Sequence, residues 1–463
     1  MDLERVIAAL APTEVANRAP VEVRDLAYDA RAVVPGALFF CVPGSRADGH
    51  DFAAVAVERG CVALVVERPV DAPVPQLVVP SARAAMAVVA DEFFGRPSEE
   101  LEVAGVTGTN GKTTTAHLLH AILAAAGRRP GLLGTVEARV GGRPRVLERT
   151  TPEAIDLQRL FREMLDAGDR SCAMEASSHA SELYRLDRVR FRVLVFTNLS
   201  QDHLDFHGTM ERYFAAKRRL FDGVPAVVNV DDPWGRRLLD ELGGEGLTFG
   251  FSEDAEVGPG ALAGVELRLR GRFNVLNALG AAAAAQVLGI DPDAVRAGIE
   301  AVEGVPGRFE EVSEGQPFTV LVDYAHTPDS LETVLREARG LAEGRVLCVF
   351  GAGGDRDRDK RPLMGRVAGE LADLAVVTSD NPRSEDPDAI IAEILAGAAR
   401  ELVVEPDRRA AIEAAVEAAR PGDVVVVAGK GHEQGQEAGG VVLPFDDREV
   451  AREALRKLAG ARA

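Results

Sequence analysis

The stretch from Leu101 to Thr115, Leu-Glu-Val-Ala-Gly-Val-Thr-Gly-Thr-Asn-Gly-Lys-Thr-Thr-Thr, narrows the possible folds of this chain more than any other. The apolar run Leu101 to Val106 reads as a buried strand; Gly108, Asn110 and Gly111 break it, and from Thr113 through Ala126 the pattern turns helical. A strand, a glycine loop and a helix in that order make a phosphate cradle. The glycines let backbone N–H groups converge on phosphate oxygens, and the helix N-terminus adds the positive end of its dipole. Lys112 would neutralise the outer phosphates and Thr113 would offer its hydroxyl to Mg²⁺. Val106 stands where the strict nucleotide-loop pattern has its first Gly, which leaves the shorter Gly108-Thr109-Asn110-Gly111-Lys112-Thr113, followed by Thr114. The competing reading is a chance glycine turn.

At 463 residues the chain has room for about three domains, each with its own core. With 46% hydrophobic and 27% charged residues it is a soluble globular protein rather than a disordered or fibrous one. A net charge of −20 argues against broad nucleic-acid binding, which needs a basic surface, but leaves room for local cationic pockets. Cys41, Cys61, Cys172 and Cys348 are scattered without a CxxC pair, and free thiols of a reducing compartment are expected. No signal peptide and no bilayer-length apolar run is found, so the expectation is a cytoplasmic monomer without membrane or nucleic-acid partners.

Three α/β units follow from the apolar runs. Residues 1–97 hold short runs at Leu38 to Val42, Val62 to Val66 and Leu77 to Val79, and Arg96 to Glu100 reads as a linker. Residues 98–307 carry the phosphate loop and strand-like segments at Ser171 to Met174, Val193 to Thr197 and Ala226 to Val230, a parallel sheet covered by helices. Residues 308–463 repeat the βαβ pattern at Phe318 to Val322, Arg345 to Phe350, Leu374 to Thr378 and Asp423 to Ala428.

Candidate chemistry lies at the strand ends. Glu175, in Met174-Glu-Ala-Ser-Ser-His179, is either a Mg²⁺ carboxylate or an ordinary strand-end Glu. Asp202-His-Leu-Asp-Phe-His207 is dense in metal-capable groups, with His203 the candidate ligand; Lys217, taken alone, reads as a solvated lysine. Asn274 and Asn277 open a helix whose face could meet a base, Arg308 lies at the proposed hinge, and Asp323 could accept from ribose hydroxyls; each reads equally as a structural residue. Arg356 and Arg383 follow two parallel strands, where ligands of open α/β sheets bind, and planar guanidinium groups there suit carboxylates. Glu433, beyond a third strand, adds an anion, so the set fits a zwitterionic amino acid with an extra carboxylate.

Gly-Thr-Asn-Gly-Lys-Thr, Met-Glu-x-Ser-Ser-His, Asn-Leu-Ser-x-Asp-His-Leu-Asp-x-His-Gly, Gly-Arg-Phe-Asn, Asp-Tyr-Ala-His-Thr-Pro, Gly-Gly-Asp-Arg-Asp, Asp-Asn-Pro-Arg and Gly-Lys-Gly-His-Glu follow one another along nearly the whole chain. This string resembles the Mur ligase family of peptidoglycan synthesis. The resemblance implies a three-domain α/β architecture with a central P-loop ATPase domain and a Rossmann-like C-terminal domain. It implies an ATP-dependent ligation of meso-diaminopimelate to the γ-carboxylate of UDP-MurNAc-L-Ala-D-Glu through an acyl phosphate. It gives Lys112, Glu175, His203 and Lys217 catalytic roles, with Thr113 and Glu175 serving one Mg²⁺ and His203 with a carbamylated Lys217 serving a second. ATP falls to the loop from Gly108 to Thr114 and to Asn274, Asn277, Arg308 and Asp323. The UDP-linked acceptor falls to Ala30, Ser45, Arg46, Ala47, Thr150, Thr151, Ser177 and Arg185. Diaminopimelate falls to Arg356, Asp380, Asn381, Pro382, Arg383, Gly429 and Glu433, with Arg383 setting it apart from lysine. Three positions depart from the family pattern: Ala30 replaces a Ser, Ala180-Ser181 replaces Gly-Leu, and Glu433-Gln-Gly-Gln436 lacks a frequent aromatic residue. A lysine-adding relative, a tripeptide–dipeptide ligase or folylpolyglutamate synthetase, and an NTP-binding switch or scaffold are the alternatives.

Overall fold

Runs of Val, Ala and Leu become the inner strands of three sheets in the computed structural model, which describes residues 1–44 and 47–462. The first sheet runs Glu14–Ala16, Gln76–Val78, Ala63–Val66, Ala37–Phe40, Asp25–Ala27, parallel except for its first strand. Its core also takes in Ala154 and Ile155 from the next unit's helix Ala154–Ala167. Two polar contacts tighten that seam: Tyr28 Oη donates to Asp156 at 2.6 Å and Arg159 Nη2 to Asp25 at 2.9 Å.

The segment expected as a linker, Arg96 to Glu100, is a fixed turn instead. Pro97–Glu100 is helical, and Pro is pre-organised for a first helical turn. Ser98 is fully buried; its Oγ donates to Arg188 O at 3.3 Å and accepts from Arg190 N at 3.1 Å. A short hydroxyl with both roles stitches this turn to the neighbouring loop, which polar composition alone cannot reveal.

The second sheet has eight strands, six of them parallel, with Glu102–Thr107 seated between Phe191–Phe196 and Ser171–Glu175. The carboxyl ends of these three neighbours therefore deliver the glycine loop, the Thr197–Ser200 segment and Glu175 to one edge. Helices Lys112–Ala125 and Arg272–Val287 pack on one face of the sheet, the latter through a run of buried alanines that lets it approach closely.

The third sheet runs Glu310–Glu311, Thr319–Asp323, Val424–Ala428, Val346–Phe350, Leu374–Val377, Val403–Val404, parallel apart from the first. A hairpin, Gly435–Ala438 with Val441–Pro444, stands apart from it. The four cysteines are free and buried. No described helix is long and apolar enough to cross a membrane.

Candidate active site

One cavity of about 800 Å³ lies where the second and third units face each other. Its wall includes Thr109 to Thr114, Thr150, Thr151, Glu175, Ser177, Arg185, His203, Lys217 and Asn277 from the second unit, with Arg308, Asp323 and Arg356 from the third.

Backbone geometry shapes the loop. Gly108 and Gly111 have φ of +147° and +86°, and a Cβ on either would run into the Thr197 hydroxyl or the Asn277 amide. Asn198 pins the loop from the adjacent strand: its Oδ1 accepts from Asn110 N at 2.9 Å and its Nδ2 donates to Asn110 O at 3.2 Å. Asn110 Nδ2 also donates to Asp329 Oδ2 across the units, at 3.0 Å. The first-Gly position of the strict pattern, Val106, is a core strand residue.

Two amines meet on one carbonyl. Lys112 Nζ donates to Gly108 O at 2.9 Å and Thr109 O at 2.7 Å, while Lys217 Nζ reaches Gly108 O at 2.8 Å. Lys217 is 1% exposed, on helix Met210–Arg218, with its Nζ 4.7 Å from the Tyr213 ring centre. Burial, reinforced by the charge of Lys112, holds its pKa well below the usual lysine range. It is not the solvated lysine that the residue taken alone suggests. Burial also lowers the pKa of Lys112, opposed by Glu175 and Asp202.

Glu175, 1% exposed, accepts from Thr135 N at 2.7 Å and Thr135 Oγ1 at 3.0 Å, so it is no ordinary strand-end side chain. His203 begins a short helix at φ +54°, beside Asp202 Oδ2 at 3.2 Å and edge-on to the His179 ring at 4.7 Å. Desolvation lowers its pKa despite Asp202, which favours the neutral imidazole that binds metals. Among the described residues no three His, Cys, Asp or Glu side chains form a ready-made cation cage. The donor set on the wall (the Thr113 hydroxyl, the Glu175 carboxylate, the His203 ring) fits Mg²⁺ held partly by nucleotide phosphates and water, the usual manner of that ion.

Arg308 crosses from the third unit. Its Nη2 donates to Thr113 Oγ1 at 3.1 Å and its guanidinium lies 4.4 Å from the Tyr324 ring centre. Asp323 ends the first parallel strand of the third sheet and accepts from Phe309 N at 2.7 Å and Ala325 N at 2.8 Å. Burial raises its pKa to about 6 against the opposing charge of Arg308. Asn277 lines the cavity, whereas Asn274 stands behind it, accepting from Asn277 Nδ2 at 2.9 Å.

Among the residues expected to meet the acceptor, Thr151 Oγ1 donates to Glu175 O at 2.9 Å and accepts from Ser177 N at 3.2 Å, and Thr150 Oγ1 is 2.9 Å from Thr135 Oγ1. Arg185 Nη1 donates to Thr151 O at 3.1 Å. Ala30 is packed in the first unit's core and Ala47 is exposed, and neither lines this cavity; Ser45 and Arg46 lie outside the described residues.

The amino-acid candidates form a separate network. Asn381 Nδ2 donates to Glu433 Oε2 at 2.8 Å; buried Lys430 donates to Asn381 Oδ1 at 2.9 Å and to Glu433 at 3.1 Å. Asp380 Oδ2 is buried without a partner, and Gly429, at φ +121°, leaves no space for a Cβ beside it. The carbonyl of Pro382 packs against Gly354, and Arg383, at φ +54°, donates through Nη1 to Gly354 O at 2.7 Å. Arg356 alone of this group lines the large cavity. The hairpin zips onto the network: Arg383 N donates to Glu437 O at 3.0 Å, and Gln436 Nε2 to Asp380 O at 2.9 Å. Sequence reasoning missed Lys430, although it sits inside the motif that contains Gly429 and Glu433. It also missed the hairpin, whose signal is Gly439-Gly440, both at positive φ between two short runs. Where an aromatic is frequent in the family, a Cβ on Gly435 would lie 2.7 Å from Cγ1 of the exposed Val442.

Three cooperating units around a phosphate loop define a class, and the chain belongs to the Mur ligase family. Its residues 22–109 match the family's catalytic domain, 106–285 the Mur ligase middle domain and 307–431 the Mur ligase glutamate ligase domain. It is similar to proteins named UDP-N-acetylmuramoyl-L-alanyl-D-glutamate--2,6-diaminopimelate ligase. One from Solibacter usitatus is 48% identical over 95% of this chain and 94% of that protein. Another, from Geobacillus thermodenitrificans, is 45% identical over 99% of this chain and 100% of that protein. A solved structure of a ligase of that name, 32% identical, superposes with a TM-score of 0.65 over 94% of this chain and 95% of that one. The MurF ligase of Thermotoga maritima in complex with ADP, 20% identical, shares the fold with a TM-score of 0.62 over 95% of this chain and 99% of that one.

Proposed function

We propose that this chain is an ADP-forming ligase that joins meso-diaminopimelate to the γ-carboxylate of UDP-MurNAc-L-Ala-D-Glu in peptidoglycan precursor synthesis. The observation that carries this reading is the single cavity shared by the phosphate loop, Glu175, Lys217, Arg185 and the third unit's Arg308 and Arg356. A carboxylate is a poor electrophile. Its oxygen attacks the γ-phosphorus of ATP, ADP leaves, and the resulting acyl phosphate loses phosphate when the amino-acid amine attacks its carbonyl carbon and gives up a proton.

Lys112 and the loop N–H groups offset the charge that collects as two anions approach. Asn277 and Asp323 face the nucleoside end, and Thr150, Thr151, Ser177 and Arg185 the acceptor. Thr113 and Glu175 would hold Mg²⁺, which neutralises phosphate charge when bound. A neutral Lys217 can add CO₂ and release a proton, becoming a carbamate whose oxygen, with His203, would serve a second Mg²⁺; its burial and low pKa support that role. Arg383 and Arg356 would take carboxylates of the incoming amino acid, with Asn381 and Glu433 for its ammonium group. We further take residues 1–97, 98–307 and 308–463 as the working units of a cytoplasmic monomer.

ADP release measured with UDP-MurNAc-L-Ala-D-Glu and either diaminopimelate or lysine tests this reading. Turnover is expected with diaminopimelate and only with the acceptor present. ATP hydrolysis independent of both would point to a nucleotide switch, and preference for lysine to the other branch of the family.

A further inference from the structure

Glu153, which no motif singles out, sits where the first two units meet and is 4% exposed. Three guanidinium groups converge on its carboxylate. Arg185 Nη2 lies at 2.8 Å, Arg83 Nη1 at 3.2 Å and Arg149 Nη1 at 3.9 Å. Arg83 comes from helix Ala82–Phe93 of the first unit, whereas Arg149 and Arg185 line the large cavity of the second. No other carboxylate among the described residues pairs with any of the three, so one negative charge answers three positive ones. Arg185, 10% exposed in its side chain, also has its Nε buried without a partner. Arg149 is 46% exposed in its side chain and solvated, but Arg185 and Arg83 are 10% and 20% exposed; a buried charge without compensation is costly, so two largely buried cations on one carboxylate beside an open cavity leave room for an anion from outside the protein.

We propose that Glu153 is a positioning residue for the acceptor, and that Arg83 and Arg149 complete a cationic node for an anionic group of that acceptor other than the reacting γ-carboxylate. Glu153 fixes one arm of the Arg185 fork while Thr151 O fixes the other. Arg83 acts without touching the acceptor, so the first unit contributes to a site whose wall it does not form. This inference rests on the acceptor assignment above. The anion is either the glutamyl α-carboxylate or the diphosphate, which share the chemistry a guanidinium reads.

Steady-state kinetics of Glu153→Gln and Arg83→Met decide it, with thermal melts to check folding. Charge counting alone predicts that Glu153→Gln binds the acceptor more tightly; positioning predicts the reverse. The expected result for Glu153→Gln is a rise of roughly tenfold in KM for UDP-MurNAc-L-Ala-D-Glu, equivalent to one lost charge-assisted hydrogen bond. KM for ATP and for diaminopimelate stays within about twofold, and Glu153→Asp recovers part of the loss. For Arg83→Met a rise of about threefold is expected, with a weaker salt dependence of the acceptor KM. Should Glu153→Gln fail to fold, Arg83→Met carries the test.

Tighter acceptor binding in Glu153→Gln, equal changes in all three KM values, or no change in either variant overturns the proposal. An acceptor bearing an α-carboxamide separates the two anion sources. If the α-carboxylate is the partner, the wild type already loses affinity for that analogue and the variants add little; if it is the diphosphate, the variants lose as much with either acceptor. Wild-type turnover of the unmodified acceptor tests the assignment on which the inference rests, so the two failures are distinguishable.

Discussion

The proposed nucleotide side and the proposed amino-acid side of this molecule are built by different means. Around the phosphate loop, backbone geometry and buried cations make the site: two glycines at positive φ, and two lysines on the carbonyl of Gly108. Around Arg383, side chains satisfy one another, as Asn381, Lys430 and Glu433 do, and an accessory hairpin closes the network. The first kind concentrates its unmet charge on a few groups, so single substitutions should strike the chemical step. The second spreads recognition over a network, so single substitutions should change affinity for one substrate.

Lys217→Ala is the most severe test of that contrast. We expect kcat to fall roughly 10²- to 10³-fold, the scale of losing one electrostatic contact to the reacting centre, with no recovery in CO₂-rich buffer. A variant as active as wild type would remove Lys217 from the chemistry. Next, Arg383→Ala should raise KM for diaminopimelate roughly 10- to 100-fold and leave KM for ATP within about twofold. Equal effects on both substrates would dissolve the distinction between the two sides.

A pH profile sharpens it further. Asp323 is ionised above its pKa of about 6 and protonated below, so the carboxylate proposed to accept from the nucleoside is present at neutral pH and lost in acid. KM for ATP should therefore climb as pH falls through about 6, and Asp323→Asn should flatten that climb. The smallest effect is steric. Gly435→Tyr meets only the exposed Val442, which can turn away, so it should cost less than about 1 kcal/mol, read as a Tm within a few degrees of wild type, and Val442→Ala in the same chain should relieve what remains.

Legibility in the sequence follows the same division. The loop from Gly108 to Thr114 is contiguous, and its glycines, lysine and threonines declare their roles through spacing; the strands that place it were legible within one to three residues at most ends. Glu433 and Asn381 are 52 positions apart, and their hydrogen bond depends on two loops meeting. Only the amino-acid chemistry of such a pocket, not its wiring, can be read from residue types. Ser98 misled for a related reason: a polar residue in a Pro-containing stretch reads as solvent-exposed until a tertiary partner is known. For Arg83 and Glu153, 70 positions apart, no local signal existed.

Arg308 donates to the hydroxyl of Thr113 from the far side of a domain boundary. If Thr113 holds a divalent ion as proposed above, that ion would compete with the guanidinium for the same oxygen, so loading the loop would loosen one of the ties between the second and third units.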